Sequence, residues 1–378
     1  MNSKAGDYYA PGLEGIVAGE TALSTIEEGL RYRGYPITEL AEKTSFEEVA
    51  YLLLYGELPK RKELDSFIGR IALSRRLPEP LIELLRALPR WTAPMDALRT
   101  AVSVLAHFDQ DATDASMEAN LRKAERLLGQ IPLVVAAHYR ISKGLPWIMP
   151  RPDLSHAAGF LYTIHGSEPS PEAARALDVS LILYAEHEFN ASTFTARVIA
   201  STLSDLHSAV VGAIGALKGP LHGGANEVIM DFLQQLGTPE QAVDLLRQAL
   251  ARKERIMGFG HRVYKTGDLR AGILSTWARL LAEKTGQSRW EQLASLVERV
   301  MAEEKNLYPN LDWPAGRLYH YLGLEKTLYT PIFVMARVAG WCAHVMEQLA
   351  NNRLIRPRAR YIGPARRAVL PLAERDAT

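Results

Sequence analysis

Apolar residues recur every three to four positions along most of the chain, the spacing of helices with one buried face. Phe46, Val49, Ala50, Leu53 and Leu54 follow this rule behind Ser45 and Glu48. Those two residues form a capping-box pattern, Gly56 is placed to end the helix, and Pro59 lies beyond it. Further helices are predicted over 65–73 and 80–88 and along Met95, Leu98, Val102 and Leu105. Residues 118–139 read as a helix with a kink or break at Pro132. After a loop around Trp147, helices are expected over 153–165 and 173–188. Residues 191–217 mix Ala, Ser, Thr and Gly with Val and Ile. Small residues let backbones come close, so this stretch predicts a tightly packed central helix or helix pair, stopped at Lys218-Gly219-Pro220. Four more helices are expected over 226–236, 239–252, 269–284 and 290–305. The last runs from Thr330 as N-cap and Pro331 as first helical residue to about 351.

Only residues 13–40 break the helical rule. Gly15, Gly19, Gly29 and Gly34 separate short apolar pieces there, a strand-and-turn pattern. The expected fold class is mainly α with a small N-terminal β region. Residues 353–378 carry seven arginines and several prolines and read as an extended tail.

Composition narrows the class. A chain of 378 residues suggests one large domain with a smaller one. A hydrophobic fraction of 47% and a net charge of +1 fit an ordinary globular protein with no general attraction to nucleic acid or membrane. The single cysteine, Cys342, excludes an internal disulfide and a cysteine-built metal cluster, and its apolar neighbours make it a core residue. The first residues lack the apolar centre of a signal peptide, and no apolar run approaches a membrane span. A cytoplasmic location is therefore expected.

Candidate chemistry gathers where polar groups meet chain breaks. In Leu221-His222-Gly223-Gly224-Ala225-Asn226 a histidine follows a helix stop, and two glycines open the backbone beside it. In the stretch from Gly258 to Arg270, Gly258, Phe259 and Gly260 lead into His261, with Lys265 and Arg270 close behind. That suits a loop that binds an anion and moves a proton. Asp312 lies between Pro309 and Pro314, beside Leu311 and Trp313. It is either a turn-forming aspartate or a general base whose proton affinity is raised by apolar rings. Arg337 stands alone in an apolar helix, with no other charge between Lys326 and Glu347, and needs an anionic partner if buried. His187 sits at the end of a helix. No His-Glu-x-x-His pattern is present, and a metal is not expected.

Several of these motifs, in order, resemble the citrate synthases, and the chain is similar to their shorter bacterial and archaeal type. The resemblance covers roughly residues 12–363. It starts at Gly12-Leu13-Glu14-Gly15-Ile16 and Leu30-Arg31-Tyr32-Arg33-Gly34-Tyr35-Pro36-Ile37. It continues through His187-Glu188-x-Asn190-Ala191-Ser192, Leu221-His222-Gly223-Gly224-Ala225 and Gly258-Phe259-Gly260-His261-Arg262-Val263-Tyr264-Lys265. It closes with Pro309-Asn310-x-Asp312 and Arg356-Pro357-Arg358. One departure stands out: the family usually reads Asp-Pro-Arg where this chain has Asp268-Leu269-Arg270.

The resemblance implies a two-domain helical fold, with residues 1–222 and 316–378 forming a large domain and 223–315 a small domain that closes over the cleft. It implies condensation of acetyl-CoA with oxaloacetate and hydrolysis of citryl-CoA. His222 would hold the thioester carbonyl, Asp312 would take the methyl proton, and His261 would protonate the ketone oxygen. His187, Arg270, Arg337 and, from a second copy, Arg356 would bind oxaloacetate. Gly258, Phe259, Gly260 and Lys265 would serve coenzyme A. The implied assembly is a homodimer with no tightly bound cofactor and no metal. The same residues would also suit a 2-methylcitrate synthase using propionyl-CoA; an inactive acyl-CoA-binding relative is a further alternative, against which the presence of His222, His261 and Asp312 together argues.

Overall fold

The computed structural model describes residues 9–260, 264 and 267–377. Among them the regular structure is sixteen α-helices, short 3-10 turns and one three-stranded sheet. The antiparallel sheet comprises β1 (Ser24–Thr25), β2 (Arg31–Tyr32) and β3 (Tyr35–Pro36), with Ser24 opposite Tyr32 and Arg31 opposite Pro36. Tyr32 is fully buried, and its hydroxyl donates to the carbonyl of Glu186 at 3.0 Å. The sheet is thereby pinned beside the segment that carries His187.

The first ten helices are α1 (Ile37–Lys43), α2 (Phe46–Tyr55), α3 (Arg61–Ser74), α4 (Glu79–Ala87), α5 (Pro94–Leu105), α6 (Met117–Ser142), α7 (His156–His165), α8 (Pro171–Tyr184), α9 (Ala191–Ser201) and α10 (Leu206–Leu217). The rest are α11 (Ile229–Gln235), α12 (Pro239–Ala251), α13 (Leu269–Lys284), α14 (Ser288–Lys305), α15 (Asp312–Tyr321) and α16 (Tyr329–Ala350). Every side chain from Tyr329 to Met346 is buried, because α2, α6, α8, α9 and α10 all pack against α16. No helix among the described residues is long and apolar enough to cross a membrane.

Several local expectations hold. Ser45 and Glu48 make the reciprocal capping box, and Gly56 closes α2 in the left-handed region. The stretch 191–217 is a helix pair, and α9 and α10 lie so close that a Cβ on Gly212 would come 2.2 Å from Ile199. Tail residues 356–371 are exposed and irregular.

Others are corrected by tertiary context. Helix α6 continues through Pro132 to Ser142. A proline removes one helical hydrogen bond, a cost of about 3 kcal/mol that burial against α3, α7 and α16 outweighs. Helix α8 stops at Tyr184 rather than 188, because the next residues turn to bury Glu186 against Ser24 and His344. Thr330 is not an N-cap: α16 already starts at Tyr329, and the Thr330 hydroxyl bonds Glu227 instead. Asp312 lies not in a free turn but at the first position of α15, a helix that its flanking prolines concealed. Pro314 is tolerated in that first turn, where a backbone N–H has no helical acceptor anyway.

Candidate functional site

The described residues line an open cavity of about 1150 Å³. That exceeds the usual range for one small ligand, roughly 300–1,000 Å³, and leaves room for a large ligand beside a small one. His187, His222, Arg270, Asp312 and the Gly258–Gly260 segment all line it. Each comes from a different chain break: the α8–α9 connection, the end of α10, the first turn of α13, the start of α15, and the loop after α12.

His222 follows the α10 stop with φ −131° and ψ −107°. Its Nε2 lies 2.9 Å from Ser192 Oγ and 3.4 Å from the Ser192 amide N–H. Burial, with help from the positive charge of Arg337, lowers its pKa to about 4. The imidazole is therefore neutral at physiological pH and available as a hydrogen-bonding group rather than a cation.

Asp312 shows the opposite shift. Burial raises its pKa to about 6, although a hydrogen bond from Tyr184 and the charges of Arg270 and Arg337 pull it down. The Tyr184 hydroxyl donates to Asp312 Oδ1 at 2.7 Å, and the Tyr184 ring packs on Phe333 at 4.3 Å. A carboxylate half-ionised near pH 6 retains base strength at neutral pH. Removing the phenol with Tyr184→Phe takes away a bond that stabilises the charged form. With Asp312 as the base, the acidic limb of the kcat/KM profile is expected to move to higher pH. A pH–rate profile of the two proteins checks this, and an unmoved limb would contradict the role of the bond.

Arg337 has no carboxylate in direct contact among the described residues. Its Nε donates to the Tyr184 carbonyl at 2.6 Å, its guanidinium lies over the Phe333 ring, and Nη1 is buried without a partner. Burial pushes its pKa down to about 10 against the pull of Glu186. The nearby Glu186 is itself wholly buried. Burial alone would raise its carboxyl, but His344, Arg337 and Ser24 outweigh that and hold it below the ordinary value. The isolated charge seen in the sequence thus has a counter-charge that it does not touch and an unused donor. Such a donor suits an anionic ligand.

Arg270 lines the cavity but already gives Nε and Nη2 to Asp268, at 3.0 and 2.7 Å. Asp268 also caps α13 through the Arg270 N–H. The cap starts the helix without proline, and Leu269 sits exposed at the first helical position. His187 Nε2 lies 3.0 Å from the Tyr264 hydroxyl. Gly258 has φ +87°, and a Cβ there would come 3.1 Å from Trp313, so only glycine lets this loop lie on the start of α15. His261 and Lys265 lie outside the described residues. Arg356 is exposed on the tail and does not line the cavity of its own chain.

Tyr184, Ser192, Glu186 and His344 were not singled out from the sequence. Tyr184 reads there as one more aromatic on a buried helix, and His344 as a packing residue. Only the fold reveals that they touch or support site residues. The Glu186-His187-Glu188 run was the available signal for Glu186, since a carboxylate between buried elements must be paired.

A helical scaffold sets a buried carboxylate of raised pKa and a neutral histidine on one cavity, with an arginine carrying an unused donor packed against its walls, an arrangement that suits proton transfer on an anionic ligand. Comparison with known proteins narrows the class. The family model described as "Citrate synthase, C-terminal domain" matches residues 12–358. Citrate synthase 2 of Bacillus subtilis is 48% identical over 96% of this chain and 98% of its own length. The 2-methylcitrate synthase of Shewanella oneidensis is 47% identical, over 96% and 97%. Among solved structures, citrate synthase from Pyrobaculum aerophilum matches with TM-score 0.88 at 43% identity, covering 96% of this chain and 95% of that one. A ternary complex of carboxymethyl coenzyme A and oxaloacetate with citrate synthase from Thermoplasma acidophilum matches with TM-score 0.91 at 34% identity, covering 97% and 99%. The chain belongs to the citrate synthase family, and it is an acyl-transferring enzyme.

Proposed function

We propose that the protein condenses acetyl-CoA with oxaloacetate and hydrolyses the resulting citryl-CoA to citrate and CoA. The observation that carries this reading is the pairing in one cavity of Asp312, buried with a raised pKa, and His222, buried and neutral. A thioester methyl group is a weak acid, so its proton leaves only if the enol oxygen is stabilised as the base acts. Asp312 takes that proton. His222, neutral and held at Nε2 by the amide and hydroxyl of Ser192, hydrogen-bonds the thioester oxygen and stabilises the enol. The enol carbon attacks the ketone of oxaloacetate, and His261 supplies the proton to the ketone oxygen. Water then cleaves the thioester.

His187, Arg270 and Arg337 bind the dicarboxylate, with Nη1 of Arg337 as the donor that awaits it. The Gly258–Gly260 backbone and Lys265 receive coenzyme A. Residues 223–315 act as a small domain that closes on the rest and excludes water from the enol. Arg356 completes the site of a second copy. The apolar side chains of Tyr361, Ile362 and Val369 are more than three-quarters exposed on the tail, which is consistent with its lying against that copy.

A second reading, 2-methylcitrate synthase with propionyl-CoA, is favoured by relatives of that name at nearly the same identity. One methylene separates the two acyl groups, a difference that a pocket resolves by about 1–3 kcal/mol. A thiol-release assay with oxaloacetate and each acyl-CoA is expected to give the higher kcat/KM with acetyl-CoA. A higher value with propionyl-CoA selects the second reading. No release with either removes both and leaves an acyl-CoA-binding relative without synthase activity.

A further inference from the structure

Asn310 occupies an unusual place between the glycine loop and the base. Residues 258–260 and 308–310 run antiparallel as a minimal ladder. The Gly260 N–H donates to the Tyr308 carbonyl and the Asn310 N–H to the Gly258 carbonyl, each at 2.9 Å, while Phe259 pairs with Pro309. The Asn310 side chain adds two bonds of a different kind. Its Nδ2 donates to the Gly260 carbonyl at 2.9 Å, and its Oδ1 accepts from the Asp312 N–H at 3.1 Å. A carbonyl can only accept and an amide N–H can only donate, so the two partners leave one orientation of the amide. One planar group thus holds the backbone of the base and the peptide bond that leads from Gly260 into residue 261. His261 itself lies outside the described residues; the bond is to the peptide before it.

We infer that Asn310 is a positioning residue that sets the register between the base, Asp312, and the acid-bearing glycine loop, so that deprotonation of the acyl group and protonation of the ketone occur in one geometry. This rests on the roles proposed above for Asp312 and His261. The requirement for asparagine is chemical. Alanine supplies neither bond. Serine can still accept from an N–H two residues on, as in turns it commonly forms, but it is too short to reach Gly260 as well. Misplacing a reacting group by about 1 Å costs on the order of 100-fold in rate.

The two half-bonds can be separated experimentally. Proton exchange between the acetyl-CoA methyl group and deuterated solvent, measured with 2-hydroxysuccinate in place of oxaloacetate, depends on Asp312 and His222. Condensation with oxaloacetate depends on the acid as well. Asn310→Ser is expected to lose roughly 100-fold in condensation kcat while exchange changes by less than about 3-fold. Asn310→Ala is expected to lose both rates. Melting temperatures of both variants monitor folding, and a purely structural turn would lower both rates of Asn310→Ser together. Equal loss of the two rates in Asn310→Ser, or no loss in either, overturns the positioning role. Wild-type protein that neither exchanges methyl protons nor releases CoA overturns the underlying reading instead.

Discussion

Asp312→Asn is expected to lower kcat by about 10³-fold or more while leaving oxaloacetate affinity within a few-fold of wild type. The amide has nearly the shape of the carboxylate and can still accept from Tyr184, so the cavity is preserved. It cannot take a proton. The same substitution is expected to raise stability. In the folded protein, burial raises the Asp312 pKa from 3.8 to about 6. A carboxyl whose folded pKa lies above its unfolded value opposes folding once it ionises. That penalty grows as pH rises from about 4 to 6 and is fully present above 6. It amounts to about 3 kcal/mol on an order-of-magnitude basis. A neutral asparagine avoids it, so the melting temperature should rise at pH 8 and change little at pH 4. Calorimetric titration with oxaloacetate, thiol release and thermal melts at the two pH values test the three parts. Retained turnover would place the base elsewhere, and an unchanged melting difference between pH 4 and pH 8 would contradict the stored cost.

Arg337→Met is expected to raise KM for oxaloacetate by roughly 100-fold, with a melting temperature close to wild type. Truncating one partner of a desolvated charged hydrogen bond typically costs 2–5 kcal/mol in binding, and about 3 kcal/mol corresponds to that change in KM. The stability argument runs the other way. A buried cation without a direct carboxylate contributes little to folding, and an apolar side chain of similar length fills its space. Glu186 keeps His344 and Ser24 as partners after the substitution. Steady-state kinetics at varied oxaloacetate and a thermal melt separate the two effects. A large loss of stability with unchanged KM would make Arg337 a structural residue.

Much of the candidate site was legible before the fold was known, because most of its residues sit at chain breaks and Arg337 is an isolated charge inside an apolar helix. His222 beside its glycines and Arg337 alone in an apolar run each stand out by composition. The structure places His222 on the cavity and Arg337 against the walls of it. Asp312 was visible as a carboxylate between prolines, but not as the opening residue of a helix, since Pro309 and Pro314 read as helix breakers. The partners that tune these groups were not legible. Tyr184 is 128 residues from Asp312 and Ser192 is 30 from His222. A hydrogen bond across such separations leaves no local pattern in the sequence.

The sequence by itself determined the helical class, most helix starts and stops, and which residues are candidates for the chemistry. Those depend on local terms: the 3.6-residue period, side-chain caps, and glycine and proline dihedral limits. Only the tertiary structure decided that α6 passes through Pro132, that α8 ends at Tyr184, and that Asp312 and His222 shift their proton affinities in opposite directions. Desolvation is the leading cause of both shifts. It depends on what surrounds a group in three dimensions, and it disfavours whichever form carries the charge: the carboxylate of one residue and the imidazolium of the other.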